Sequence, residues 1–151
     1  MVMCCFAAVH GCAGRSSPAP DSAFAVEAAD ARSALDRLIA ADNASDLPGV
    51  SACFEPDAVL LPPTGEPIRG RAAIEQHYRS LFARERLEVR LEIDETTLAR
   101  TTATLRGRTT GRRIPLDGSA ASAFSDDFTA TLRRAPDRTW RVMSLEWKSV
   151  R

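Results

Sequence analysis

Leu87-Glu88-Val89-Arg90-Leu91-Glu92-Ile93 alternates apolar and charged residues without an exception. That is the two-residue period of a strand with one face buried and the other in water. Upstream of it the period is helical. Ile74, His77, Tyr78, Leu81 and Phe82 recur at three and four after Gly70, with Arg71, Glu75, Gln76 and Arg79 off the stripe. Further back, Ala28, Ala31, Leu35, Leu38 and Ile39 mark an amphipathic helix that starts at Asp21 and ends near Asn43. Between these two, Asp46 can cap and Pro48 is tolerated only in a first turn, so a short helix is expected with Val50, Cys53 and Phe54 as its buried side. Pro56-Asp57 is expected to stop it. Ala58 to Leu61 then reads as a short strand closed by the turn residues Pro62-Pro63-Thr64-Gly65.

Downstream, three more strands are expected, Thr101 to Arg113, Ser122 to Arg134 and Thr139 to Val150, joined by the turn sequences Pro115-Leu-Asp-Gly118 and Ala135-Pro-Asp-Arg138. Parity puts Ala103, Leu105, Phe128, Ala130, Leu132, Met143, Leu145 and Trp147 on the covered face, and Arg106, Arg108, Thr129, Thr131, Ser144, Glu146 and Lys148 on the other. Three helices first and hairpins last predict an α+β domain, a curved antiparallel sheet covered on one face by the N-terminal helices. Glu88, Arg90 and Glu92 would then stand beside Arg106 and Arg108 on the outer face, as cross-strand ion pairs.

The chain has 151 residues, enough for one domain with a core that needs no disulfides. Its 20 basic residues balance 20 acidic ones, so no global field recruits nucleic acid. Cys4, Cys5 and Cys12 crowd the N-terminus and Cys53 stands alone in an apolar pattern, which is no disulfide framework. Nothing around Cys53 would activate a thiol, so it reads as a core residue.

The first 20 residues form a unit apart, an apolar, small-residue stretch followed by Arg15-Ser-Ser-Pro-Ala-Pro-Asp21, which reads as a linker. Val9-His10-Gly11-Cys12 is similar to a bacterial lipoprotein signal, which implies lipidation at Cys12 and export, with a cytoplasmic tail as the alternative. No segment approaches the roughly 20 apolar residues of a spanning helix.

Asn43-Ala-Ser-Asp-Leu-Pro-Gly-Val-Ser-Ala-Cys-Phe54, Asp57-Ala-Val59 and Gly65-Glu-Pro-Ile-Arg-Gly-Arg-Ala-Ala-Ile74 resemble the nuclear-transport-factor-2-like superfamily, in particular its SnoaL-like and ketosteroid-isomerase-like bacterial members of a domain-of-unknown-function type. The closing Asp137-Arg-Thr-Trp-Arg-Val-Met-Ser-Leu-Glu-Trp-Lys-Ser149 resembles the last hairpin of the same group. The likeness spans nearly all of residues 21–151 and implies the cone-shaped, cystatin-like fold with a pocket under the helices. It says little of function, because that scaffold hosts isomerases, dehydratases, cyclases, hydrolases and binders. Carried over position by position, the isomerase's base falls at Pro62 and its oxyanion-hole tyrosine at Leu38, neither of which can do that work. Asp126 matches the oxyanion-hole aspartate, and Tyr78 a tyrosine that supports the hole.

Asp126, His77 and Tyr78 are therefore the candidates for chemistry, and Leu35, Leu38, Tyr78, Asp126, Phe128, Met143 and Trp147 for the wall of a ligand pocket. Asp126 shares the inward parity of Phe128, so it is either the polar anchor of the pocket or a strand end that reaches water. His77 is either a pocket acid or base or a partly buried ring bonded to a carbonyl. With only two histidines, His10 and His77, no histidine-rich metal site is expected, and no cofactor motif is present. The expectation is a binder of a small apolar molecule, non-catalytic or weakly catalytic, with a lyase or isomerase acting on a small apolar carbonyl compound as the alternative. Homodimerisation is expected through the outer sheet face around Thr129, Thr131, Val142 and Ser144, with no nucleic-acid partner.

Overall fold

The computed structural model describes residues 20–150. The proposed leader, with Cys12, lies outside the described residues. Helices α1 (Pro20–Ala44) and α2 (Leu47–Cys53) come first, then strand β1 (Phe54–Leu61), the two-residue β2 (Ile68–Arg69), helix α3 (Arg71–Phe82), and strands β3 (Glu85–Leu98), β4 (Thr102–Pro115), β5 (Ser122–Arg134) and β6 (Trp140–Ser149). All six strands share one sheet in the order β2-β1-β6-β5-β4-β3. The expected α+β class and helix-backed curved sheet are those observed. The sheet is mixed rather than wholly antiparallel, because β1 lies parallel to β6. Helix α3 and the long strands separate β1 from β6 in sequence, so a hairpin constraint never applied to that pair.

Three local readings differ from the structure. Strand β1 begins at Phe54, so Glu55, Pro56 and Asp57 belong to the strand rather than to a helix stop. Phe54 is fully buried and Glu55 nearly so, where Glu55 meets Arg133 at 3.1 Å. In β6, Thr131 pairs with Ser144 but Leu132 with Val142, leaving Met143 as an extra residue in the ladder. Such a bulge reverses inward and outward for everything beyond it. Trp140 and Val142 therefore point into the core, at 4% and 1% exposure, and Met143 leaves the inward set. Val142 accordingly drops out of the outer face to which parity assigned it.

The helices' apolar stripes meet the sheet as the periodicity requires. Ala31, Ala34, Leu35, Leu38 and Ala41 of α1, Val50 of α2, and Ile74 and Tyr78 of α3 form one core with Leu60, Leu105, Phe128, Ala130, Leu132 and Leu145. Asp46 caps α2 by accepting from the Gly49 amide at 3.1 Å, with Pro48 in the first turn. On the outer face, Arg106 pairs with Glu95, Arg108 with Asp127 and Arg112 with Glu88, all exposed, so each contributes under about 1 kcal/mol.

Curvature comes from two glycines of β4. A Cβ on Gly107 would sit 1.9 Å from the Glu92 carbonyl oxygen, and one on Gly111 2.0 Å from that of Glu88. Only a residue without a side chain lets β3 fold this closely over β4. Asp94 is the extra residue of a second bulge there, since Ile93 pairs with Gly107 and Glu95 with Arg106. The bent sheet and the helices enclose a hollow at one end.

Candidate functional site

The last turn of α1 is fastened to β3, an edge strand of the sheet among the described residues. The Asn43 side-chain amide donates to the Val89 carbonyl at 3.0 Å, and its oxygen accepts from the Val89 amide at 2.6 Å. This clasp imitates a strand partner. It fixes the rotation of the α1 terminus, so that its neighbour Asp42 turns inward with Leu35 and Leu38 on the buried stripe. Asp42 is only 3% exposed.

Beside it lies a cavity of about 430 Å³ lined by Asp42 and Ile39 of α1, His77, Tyr78 and Leu81 of α3, and Leu87 and Val89 of β3, with Thr109, Arg113, Phe124, Asp126 and Trp147 from β4 to β6. Arg84, Glu85 and the Pro62-Pro63-Thr64 turn complete its edge. The wall is mostly apolar with a few convergent polar groups, the usual make-up of a small-molecule site, and its volume lies in the usual range.

Asp42 is the abnormal group. Its Oδ1 is buried with no hydrogen-bond partner. Burial pushes its carboxyl up to about 8, because an anion there would lose its hydration without gaining a donor. At neutral pH the group is therefore mostly a neutral acid with a proton to donate. Tyr78, buried on α3, is held by ring contacts with Phe54 at 6.4 Å, His77 at 5.8 Å and Phe82 at 5.6 Å. Its hydroxyl is pushed well above the usual range by burial first and then by the charges of Asp42 and Cys53, so it too keeps its proton. His77 is pushed the other way, below its ordinary value, by burial and then by the Arg84 and Arg113 guanidiniums. The Cys53 thiol is raised, chiefly by burial, and its Sγ bonds the Gly49 carbonyl at 3.3 Å, which fits a structural residue.

Of the residues singled out in the sequence, Tyr78, His77, Asp126 and Trp147 line this one cavity. Asp126 is 6% exposed and sits in register with Thr109 of β4, whose hydroxyl donates to the Asp126 carbonyl at 3.3 Å. Leu35, Leu38 and Phe128 are instead core beneath it, and Met143 stands at the bulge away from it. Asp42, Thr109 and Arg113 were missed. The signal for Asp42 was available, since it lies seven residues after Leu35 and four after Leu38, an acid on an apolar stripe. Thr109 and Arg113 share the inward parity of Leu105, but that parity assignment ended before them.

The family model of the SnoaL-like domain matches residues 35–142 of the chain. Among solved structures, the fold is similar to that of a ketosteroid isomerase-like protein from Erwinia carotovora atroseptica, with a TM-score of 0.76 and 21% identity over 83% of this chain and 97% of that one. It is similar too to a nuclear transport factor 2-like superfamily protein from Salmonella enterica, with a TM-score of 0.75 and 12% identity over 85% of this chain and 94% of that one. A conserved protein from Planctomyces limnophilus gives a TM-score of 0.75 and 18% identity, over 86% of this chain and 97% of that one. No curated protein matches the sequence. These likenesses carry the fold and leave the chemistry to the cavity itself. With a helix-backed, curved sheet closed over a pocket and a family match across most of its length, the chain belongs to the SnoaL-like domain family, on the nuclear-transport-factor-2-like fold.

Proposed function

We propose that the domain binds a small, largely apolar molecule in this cavity, with the neutral Asp42 carboxyl donating a hydrogen bond to an oxygen of that molecule. The observation that carries the reading is the buried, unpartnered Oδ1 of Asp42. An orphan polar atom in a core costs about 1–3 kcal/mol, and a ligand that pairs with the carboxyl recovers it. A thermal-shift screen of small ketones, esters and lactones tests this, with Asp42→Asn and Asp42→Leu as companions. The asparagine amide still donates and keeps affinity, whereas leucine weakens it by about tenfold or more. Equal binding to the leucine variant would refute the role of Asp42. Because only the protonated acid donates, affinity for a neutral ketone should also fall as pH rises through about 8, by up to tenfold per unit.

A second reading is favoured by the same group. An acid near 8 is close enough to working pH to give and take a proton, as a lyase or isomerase acting on a small carbonyl compound requires. Tyr78, His77 and Asp126 stand on the same cavity to polarise an oxygen or relay the proton. Asp42→Asn separates the two readings, since it spares binding but abolishes turnover.

The assembly and the address are further proposals. The outer face around Thr129, Thr131 and Ser144, now without Val142, is proposed as a homodimer contact, and light scattering that returns a 16.4 kDa monomer at high concentration would end it. No helix among the described residues is long and apolar enough to cross a membrane. Anchoring through a lipid on Cys12 is proposed on the leader's likeness alone, and mass spectrometry of the native N-terminus tests it.

A further inference from the structure

We propose that the molecule held in this cavity is an anionic amphiphile, an apolar body with a neutral oxygen at the Asp42 end and a carboxylate at the rim between Arg84 and Arg113. The inference rests on the binding reading above and adds the ligand's charge and polarity. It starts from how differently the arginines are paired. On the outer face, Arg106, Arg108 and Arg112 each have a carboxylate of their own. Of the two that line the cavity, Arg84 forms no ion pair among the described residues, and its Nε is spent on the Ser80 carbonyl at 3.1 Å. Arg113 meets Glu85 at 3.6 Å, a pairing as close as those of Arg106 and Arg112, and its guanidinium lies 5.6 Å from the Phe124 ring centre. Two cations and one carboxylate leave the rim with a net positive charge.

The groups also lie at different depths. Asp42 and Tyr78 are at 3% and 2% exposure, whereas the side chains of Arg113 and Glu85 are 44% and 18% exposed and Arg84 is exposed. Asn43 fastens the α1 terminus at Val89, which pairs with Gly111, and Arg113 follows two residues further along β4. At about 3.3 Å per residue that is roughly 7 Å along the strand. Between these levels the wall is Leu81, Leu87, Val89 and Phe124, which suits an apolar body. The titratable groups facing the space are Asp42, His77, Tyr78, Arg84, Glu85, Arg113 and Asp126. Asp126 sits at the level of Thr109, four residues from Arg113 along β4, so it faces the inner part of the space and not the arginine rim.

His77 reports on this end. The two guanidiniums help to hold it neutral, and a carboxylate arriving between them would offset their charge and let the imidazole take a proton. The full chain has one other histidine, His10 in the leader, so a His10→Gln variant assigns the His77 titration.

The test uses the full chain and straight-chain keto acids of increasing length, each with its ketone at the end far from the carboxyl, alongside their methyl esters. Calorimetry should find a length at which the acid binds at least tenfold more tightly than its ester, with the advantage shrinking as salt rises. Arg113→Gln and Arg84→Gln should each shrink that advantage several-fold, weakening the acid more than the ester, and Arg113→Lys should restore part of it. The NMR titration midpoint of His77 should rise with the acid bound and stay put with the ester. Esters that bind as well as acids, or arginine variants that affect both alike, would overturn the inference and leave the binding reading intact. Failure of acid and ester at every length would overturn both.

Discussion

Replacing Asp42 by asparagine should change how the stability of the domain depends on pH, by an amount that follows from burial alone. In the unfolded chain the carboxyl loses its proton near its ordinary value of 3.8, whereas in the folded chain it holds it to about 8. Between those values the folded state binds one proton that the unfolded state does not. Stability is therefore fully present below 3.8, declines through the window and reaches its floor above about 8. Each unit is worth about 1.4 kcal/mol, so the window of about four units amounts to about 6 kcal/mol, and water entering the cavity to solvate the anion lowers this. That is comparable with the whole stability of a small domain, about 5–15 kcal/mol. Asp42→Asn keeps the shape and removes the titration, so wild type and variant should diverge with rising pH, the variant becoming the more stable by several kcal/mol at about pH 8.5. His77, whose depressed value gives an opposite slope near and below 6.5, is common to both chains and cancels in the difference. The assay is urea denaturation followed by tryptophan fluorescence at half-unit steps of pH. Parallel curves across the window would refute the reasoning, because they would mean that the folded carboxyl ionises as freely as the unfolded one.

Other perturbations test the scaffold. Gly107→Ala should destabilise the domain by about 2–3 kcal/mol or more in chemical denaturation, since its Cβ would stand 1.9 Å from the Glu92 oxygen and β3 must move to admit it. Phe54→Ala, at a fully buried ring that also supports Tyr78, should cost about 3–5 kcal/mol in the same measurement. Asn43→Ala removes both bonds of the clasp and should cost about 1–2 kcal/mol, with faster hydrogen exchange at the Val89 amide as the specific sign that the α1 terminus has come loose from β3.

Much of the fold was readable because its elements obey a single period each. The alternation from Leu87 to Ile93 could be only a half-buried strand, and Leu35 and Leu38 or Ile74 and Tyr78 only helix faces turned to a core, so helices backing a curved sheet followed from local chemistry. Asp126, His77, Tyr78 and Trp147 were legible as inward residues by the same rules. What the sequence could not determine was where the period breaks. The bulge at Met143 exchanges Val142 for it in the core, and nothing local marks that break, because it is set by how β6 must bend to stay paired with β5. The parallel docking of β1 on β6 likewise depends on contacts between residues about 85 positions apart in the chain. Asp42 shows the division most plainly. Its type and its place on the α1 stripe are written in the sequence, but its proton is not. A carboxyl becomes a neutral acid when it is buried without a hydrogen-bond partner, and that burial is made by the assembled walls of the cavity.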